Sequence, residues 1–130
     1  MGRRKPRYAL VMPRLLYANP GLRARNVGKL AEWYRDALGF EIRFAWQDPP
    51  TFAMVGRDEI RLAIGPADGA FGPGTAYIHV EGVDALYAEF LDREVTIHRP
   101  IEVTDYGMKD FDLYDPDGNR LCFGESVETA

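Results

Sequence analysis

Few residues in this chain carry groups suited to covalent or metal chemistry, and their spacing limits what they can do. There are two histidines, His79 and His98, and one cysteine, Cys122. With Glu102 or Asp112 the histidines supply enough donor types for a divalent cation, but no ligand spacing in the sequence brings them together. The plainer assignment is a packed or cleft-lining His79 and a surface His98. Cys122 becomes a nucleophile only if a base or a positive neighbour makes the thiolate; otherwise it is a small buried filler. Asp110 and Asp112 alternate with Phe111 and Leu113, so both carboxylates and Tyr114 share one strand face while the apolar pair takes the other. Two carboxylates on one face suit a basic ligand, or they are solvated, or paired with Arg23. Arg23 equally allows an anionic ligand, because a guanidinium grips a carboxylate with two parallel bonds. None of these patterns assigns a catalytic residue.

The elements that must position these groups are legible from periodicity. Val27, Leu30, Ala31, Tyr34 and Leu38 mark one face of a helix, with Asn26 as N-cap and Gly39 as the left-handed stop. Phe40, Ile42, Phe44 and Trp46 then alternate as the apolar face of a strand. Two further strands, 51–55 and 59–64, are joined through Gly56, Arg57 and Asp58. After a glycine- and proline-rich loop the order begins again. A strand over 76–81 is followed by a helix carrying Val83, Leu86, Tyr87, Phe90 and Leu91. Strands near 95–98, 109–114 and 120–124 complete it, with a turn at 115–119. Residues 14–66 and 73–126 thus read as two copies of strand, helix, three strands. Thr75, Tyr77 and His79 share one face of their strand, and Ala76, Ile78 and Val80 face the helices.

At 130 residues the chain suits one domain, expected over 14–130 behind a basic tail at 1–13 that holds Arg3, Arg4, Lys5 and Arg7. The apolar run after the tail is too short for a convincing signal sequence, and no stretch is long enough for a membrane helix. With one cysteine and no intrachain disulfide, a cytoplasmic protein is the default. A net charge of −4 argues against a general nucleic-acid binder and suits a cationic or neutral ligand better.

The segments NVGKLAEWYRDALGF, AYIHVEGVDALYAEF and YGMKDFDLYDPDGNRLCFGE resemble the glyoxalase/bleomycin resistance protein/dioxygenase (vicinal oxygen chelate) superfamily, and most of all its bleomycin resistance proteins. The likeness runs from Pro20 to Glu125. It implies an α+β fold of two tandem βαβββ modules forming a curved, cup-like mixed sheet with helices outside. It also implies a homodimer that exchanges N-terminal strands at Pro20. The positions where metal-dependent members keep ligands fall on Asn19, Arg61, Thr75 and Cys122, none a usual ligand, so no metal and no cofactor are expected. The resemblance further implies a ligand cleft lined by Phe52, Tyr77, His79 and Tyr106, with Asp110, Asp112 and Arg23 beside them. The function it favours is non-catalytic sequestration of a planar, antibiotic-like small molecule, cationic in one reading, in clefts of a dimer. One alternative is a metal-dependent lyase, isomerase or dioxygenase with displaced ligands; another is a partner-binding protein. The stretch between Val95 and Asp105 is shorter than in the drug-binding members, which alters one cleft wall.

Overall fold

The computed structural model describes residues 13–14, 16–67 and 73–127. All but the last residue of the basic tail expected at 1–13 lies outside them. Module 1 runs β1 (Gly21–Ala24), α1 (Val27–Leu38), β2 (Glu41–Trp46), β3 (Phe52–Arg57) and β4 (Ile60–Pro66). Module 2 repeats the order as β5 (Thr75–His79), α2 (Val83–Asp92), β6 (Arg99–Val103), β7 (Met108–Tyr114) and β8 (Arg120–Ser126). The sheets have matching orders, β1-β4-β3-β2 and β5-β8-β7-β6. In each the first strand is parallel to the last and the other pairs are antiparallel. The fold is the two-module α+β cup with helices on the outer faces. Among the described residues no helix is long and apolar enough to cross a membrane.

Local chemistry sets the helix ends. Asn26 accepts a 3.0 Å hydrogen bond from the Lys29 amide, and Gly39 closes α1 at φ +73°. The second helix has Gly82 at its N-cap and no side-chain cap of its own; Glu125 of β8 accepts from the Gly82 and Val83 amides instead, at 3.1 Å each. A carboxylate there also suits the positive end of the helix dipole. The core faces are as the periodicity requires. α1 buries Val27, Leu30, Ala31, Tyr34 and Leu38, and the second sheet buries Ala76, Ile78, Phe111, Leu113, Leu121 and Phe123 against Phe90.

Three expectations need correction. The strand expected near 95–98 begins instead at Arg99: Glu94 turns the chain at φ +61° after the helix, and its first bond to β7 is from the His98 amide to Asp112 O at 2.9 Å. The turn expected at 56–58 sits at Asp58, φ +52°, with Arg57 still in β3. Most consequential, Phe44 and Trp46 do not share the face of Ile42. The register shifts between Ile42, which pairs with core-facing Val55, and Phe44, which pairs with Met54. One extra residue in a bulge reverses the facing of everything after it. Phe44 and Trp46 are therefore 49% and 57% exposed, on the face away from the helices.

The modules are locked together at the turn between β7 and β8. Asn119 is fully buried, and its side chain makes every bond an amide can make. Its Oδ1 accepts from the Arg23 and Gly74 amides at 3.0 and 2.7 Å; its Nδ2 donates to Arg23 O and Asp115 Oδ2 at 2.8 Å each. Asp115 Oδ2 also takes the Tyr34 hydroxyl at 2.8 Å. Gly74 passes so close to β1 that a Cβ there would strike the Gly21 carbonyl oxygen. In the other direction, Arg57 of β3 bonds both carboxylate oxygens of Glu89 on α2, at 2.7 and 2.8 Å. Replacing Asn119 with Ala removes the acceptor of the half-buried Arg23 and Gly74 amides and leaves the buried Asp115 short of a donor. The expected outcome is a loss of about 3 kcal/mol in urea unfolding with the denaturant slope unchanged.

Candidate functional site

The face of the second sheet away from the helices gathers most of the polar groups singled out in the sequence. Cross-strand pairing sets them in rows. Tyr77, Cys122, Asp112 and Arg99 stand side by side, flanked by His79, Gly124, Asp110 and Glu102, and by Thr75, Arg120 and Tyr114. Alternation along β5 and β7 is what sends these side chains to one face. Arg23 and Phe52, expected beside them, lie on the first sheet, where Arg23 pairs across to Gly65 and Phe52 to Trp46.

The structure brings Tyr77, Tyr106 and Asp110 into direct contact. Asp110 Oδ2 accepts both hydroxyls, at 2.8 Å from Tyr77 and 2.7 Å from Tyr106. His79 packs its ring 5.1 Å from that of Tyr77. The two carboxylates do not await an external cation. Both are buried, Asp110 at 0% and Asp112 at 2% exposure. Arg99 Nη2 donates to Asp110 Oδ1 at 2.6 Å, and Arg120 Nη2 to Asp112 Oδ2 at 2.6 Å. These arginines, not Arg23, neutralise the pair. Burying carboxylates is tolerable only with such partners. Asp112 Oδ1 is the one buried side-chain polar atom among the described residues with no hydrogen-bond partner.

Titration follows from these contacts. Burial alone would raise the Asp110 pKa, but the bonds from Tyr106, Arg99 and Tyr77 outweigh it and hold the carboxyl below its ordinary range. Burial, then the nearby Asp110 charge, pushes the Cys122 thiol up, against a weaker pull from Arg99 and Arg120. The guanidinium 3.6 Å from its sulfur therefore does not make it a thiolate.

His79 stands on one edge strand of the sheet, whereas His98, its ring 4.8 Å from Tyr114, precedes the opposite edge strand. They do not converge, and among the described residues no three His, Cys, Asp or Glu side chains group as a metal site. Of the positions where the resemblance would place metal ligands, Arg61 lies 4.8 Å over the Tyr17 ring and Cys122 lies 3.6 Å from Arg99 Nη2. A guanidinium has no lone pair to offer a divalent cation.

Sequence reasoning missed four residues. Arg120 was within reach of it, two positions before Cys122 on one strand face. Arg99 was hidden by the misplaced strand, and Phe44 and Trp46 by the bulge. Those two rings lie within 21° of parallel at 6.5 Å between centroids, with Phe52 6.2 Å from Phe44. They give the first sheet an aromatic face to match the tyrosines of the second.

The sequence profile of the Glyoxalase/Bleomycin resistance protein/Dioxygenase superfamily matches residues 14–123. A bleomycin-binding protein from bleomycin-producing Streptomyces verticillus, solved with copper(II)-bleomycin, is similar at 29% identity and TM-score 0.73, covering 91% of this chain and all of that one. A glyoxalase/bleomycin resistance protein from Catenulispora acidiphila is 28% identical at TM-score 0.69, over 85% of this chain and 98% of the other. A glyoxalase-related enzyme from Clostridium phytofermentans shares the fold at 17% identity and TM-score 0.73, over 88% and 98%. No curated protein matches the chain.

Because its pKa is raised, the Cys122 thiol carries less thiolate at any given pH than a free cysteine. Iodoacetamide at about pH 8 should label it at least about tenfold more slowly in the folded protein than in urea. Rapid labelling of the folded chain would restore it as a nucleophile.

Proposed function

The chain belongs to the glyoxalase/bleomycin resistance protein/dioxygenase superfamily, and from that premise we propose that it is a non-catalytic binding protein that sequesters a planar small molecule. The observation that carries this reading is the state of the polar groups on the cup face. Its carboxylates are bonded to arginines and tyrosines, and burial beside Asp110 raises the pKa of its thiol. A general base or nucleophile needs a pKa near the working pH and a free lone pair. What this face offers a ligand is aromatic surface: Tyr77 and Tyr106 on one sheet, Phe44, Trp46 and Phe52 on the other. Stacking on such rings contributes about 0.5 to 1.5 kcal/mol each. The bleomycin-binding relative from Streptomyces supports a drug-like ligand and a role in antibiotic resistance. A cationic ligand loses its simplest partner, since both aspartates are buried and already neutralised by Arg99 and Arg120.

A homodimer and a cytoplasmic site of action belong to the same proposal. Each sheet presents aromatic residues to solvent, and each cup face is half of a cleft that a second copy would close. Pro20, whose carbonyl accepts from the Ala63 amide at 2.9 Å, is the point at which strands would be exchanged.

The test is a titration of purified protein, analysed for metal, with copper-free and copper-bound bleomycin, reading the fluorescence of Trp33 and Trp46. Saturable binding is expected, weakened about three- to tenfold by Tyr77→Ala and with its signal abolished by Trp46→Phe. No binding, combined with a stoichiometric divalent ion, would overturn sequestration in favour of a metal-dependent lyase, isomerase or dioxygenase.

A further inference from the structure

We propose that Asp110 is the positioning residue of the cleft wall: from full burial it fixes the rings of Tyr77 and Tyr106 and the guanidinium of Arg99, without itself touching the ligand. This gives Asp110 a different role from the ligand acceptor suggested by its place in the sequence, and it rests on the binding reading for its functional meaning.

The carboxylate ties four segments into one surface. Tyr77 comes from β5, Arg99 from β6, Tyr106 from the loop joining β6 to β7, and Asp110 from β7 itself. All three donors end on Asp110, at 2.8, 2.6 and 2.7 Å. The rings they belong to stay open to solvent, 41% exposed for Tyr77 and 63% for Tyr106, whereas Asp110 has no exposed surface. A tyrosine anchored at its backbone and at its hydroxyl presents a fixed ring face. A ligand that stacks on it need not supply the ordering of that side chain.

Tyr106 depends most on this bond. Its loop turns back at Gly107, φ +82°, and the Tyr106 hydroxyl reaches over the floor to Asp110. Tyr77 needs a second condition. It leans across Gly124, and a Cβ at that position would fall on its hydroxyl and 3.0 Å from the Asp110 Cβ. Glycine there is what lets the phenol lie flat enough to reach the carboxylate.

The charged and titratable groups around Asp110 are Arg99, Arg120, Glu102, Asp112, Cys122 and the two phenols. Burial first, then the Asp110 hydrogen bond and charge, pushes the Tyr77 pKa up; for Tyr106 the Asp110 bond is the leading cause. The arrangement therefore has a ligand-free signature, the late ionisation of two tyrosines.

The experiment follows phenolate formation by near-ultraviolet absorbance in the full chain. Tyr77→Phe and Tyr106→Phe should each remove one late-ionising phenol. Asp110→Asn should bring both toward the ordinary tyrosine value of about 10. Gly124→Ala should release Tyr77 alone and leave Tyr106 late, which decides the matter even if Asp110→Asn fails to fold. Tyr34, held high by burial and Asp115, stays silent throughout. A tyrosine titration unchanged in both Asp110→Asn and Gly124→Ala would overturn the proposal. In parallel, copper-free bleomycin should bind Asp110→Asn about tenfold or more weakly than wild type, and equal affinity would overturn it. If wild type binds no bleomycin, the ligand reading falls, while the tyrosine titration still decides whether Asp110 positions the wall.

Discussion

Asn119 is the constraint on which the rest of the structure depends. Each helix packs on the sheet of its own βαβββ module, so the helices alone do not fix how the two modules sit together, and something else must. Four hydrogen bonds on one buried amide do this. Two of them treat Arg23 as a strand neighbour would, taking its N–H and serving its C=O. Asp115 extends the grip to α1 through Tyr34, and Arg57 returns it through Glu89 on α2. Each module thus holds the other's helix with a residue at the end of its own third strand. A buried polar network of this kind is costly if incomplete and specific if satisfied, and here every atom of the Asn119 amide is satisfied.

With the modules placed, the chemistry of the cup face follows from what is buried beneath it. The second sheet carries an alternating floor of arginines and aspartates that cancel one another. Such a floor has little charge to offer, but a rigid shape. The guanidiniums and carboxylates spend their hydrogen bonds holding side chains still, and the surface they leave exposed is that of the rings they support.

Much of this was legible in the sequence because it is local. Asn26 and Gly39 mark a helix by their own conformational preferences. The alternation of Thr75, Tyr77, His79 and of Asp110, Asp112, Tyr114 assigns faces with no knowledge of the neighbouring strands. The misses share a cause as well. A bulge inserts one residue into one strand, and Arg43 looks no different in sequence from any alternating position. The start of β6 was lost to the conformation of Glu94, and with it Arg99. The neutralisation of Asp110 and Asp112 joins residues on separate strands, and nothing in the spacing of one strand reports a partner on the next.

The bulge in β2 also bears on how the chain avoids aggregation. It lies on a sheet edge, and the opposite sheet repeats the device: β6, the equivalent edge, shifts register between Arg99 and Glu102 and carries Pro100. An irregular edge lacking an N–H is a poor template for a foreign strand. Both outer rims are therefore poorer templates for backbone pairing than a regular edge would be, although one of them displays two exposed aromatic rings. The edges that keep a regular register are β1 and β5, at the seam between modules. Backbone groups open to regular pairing are thereby confined to that seam, and the outer rims are left with irregular ones.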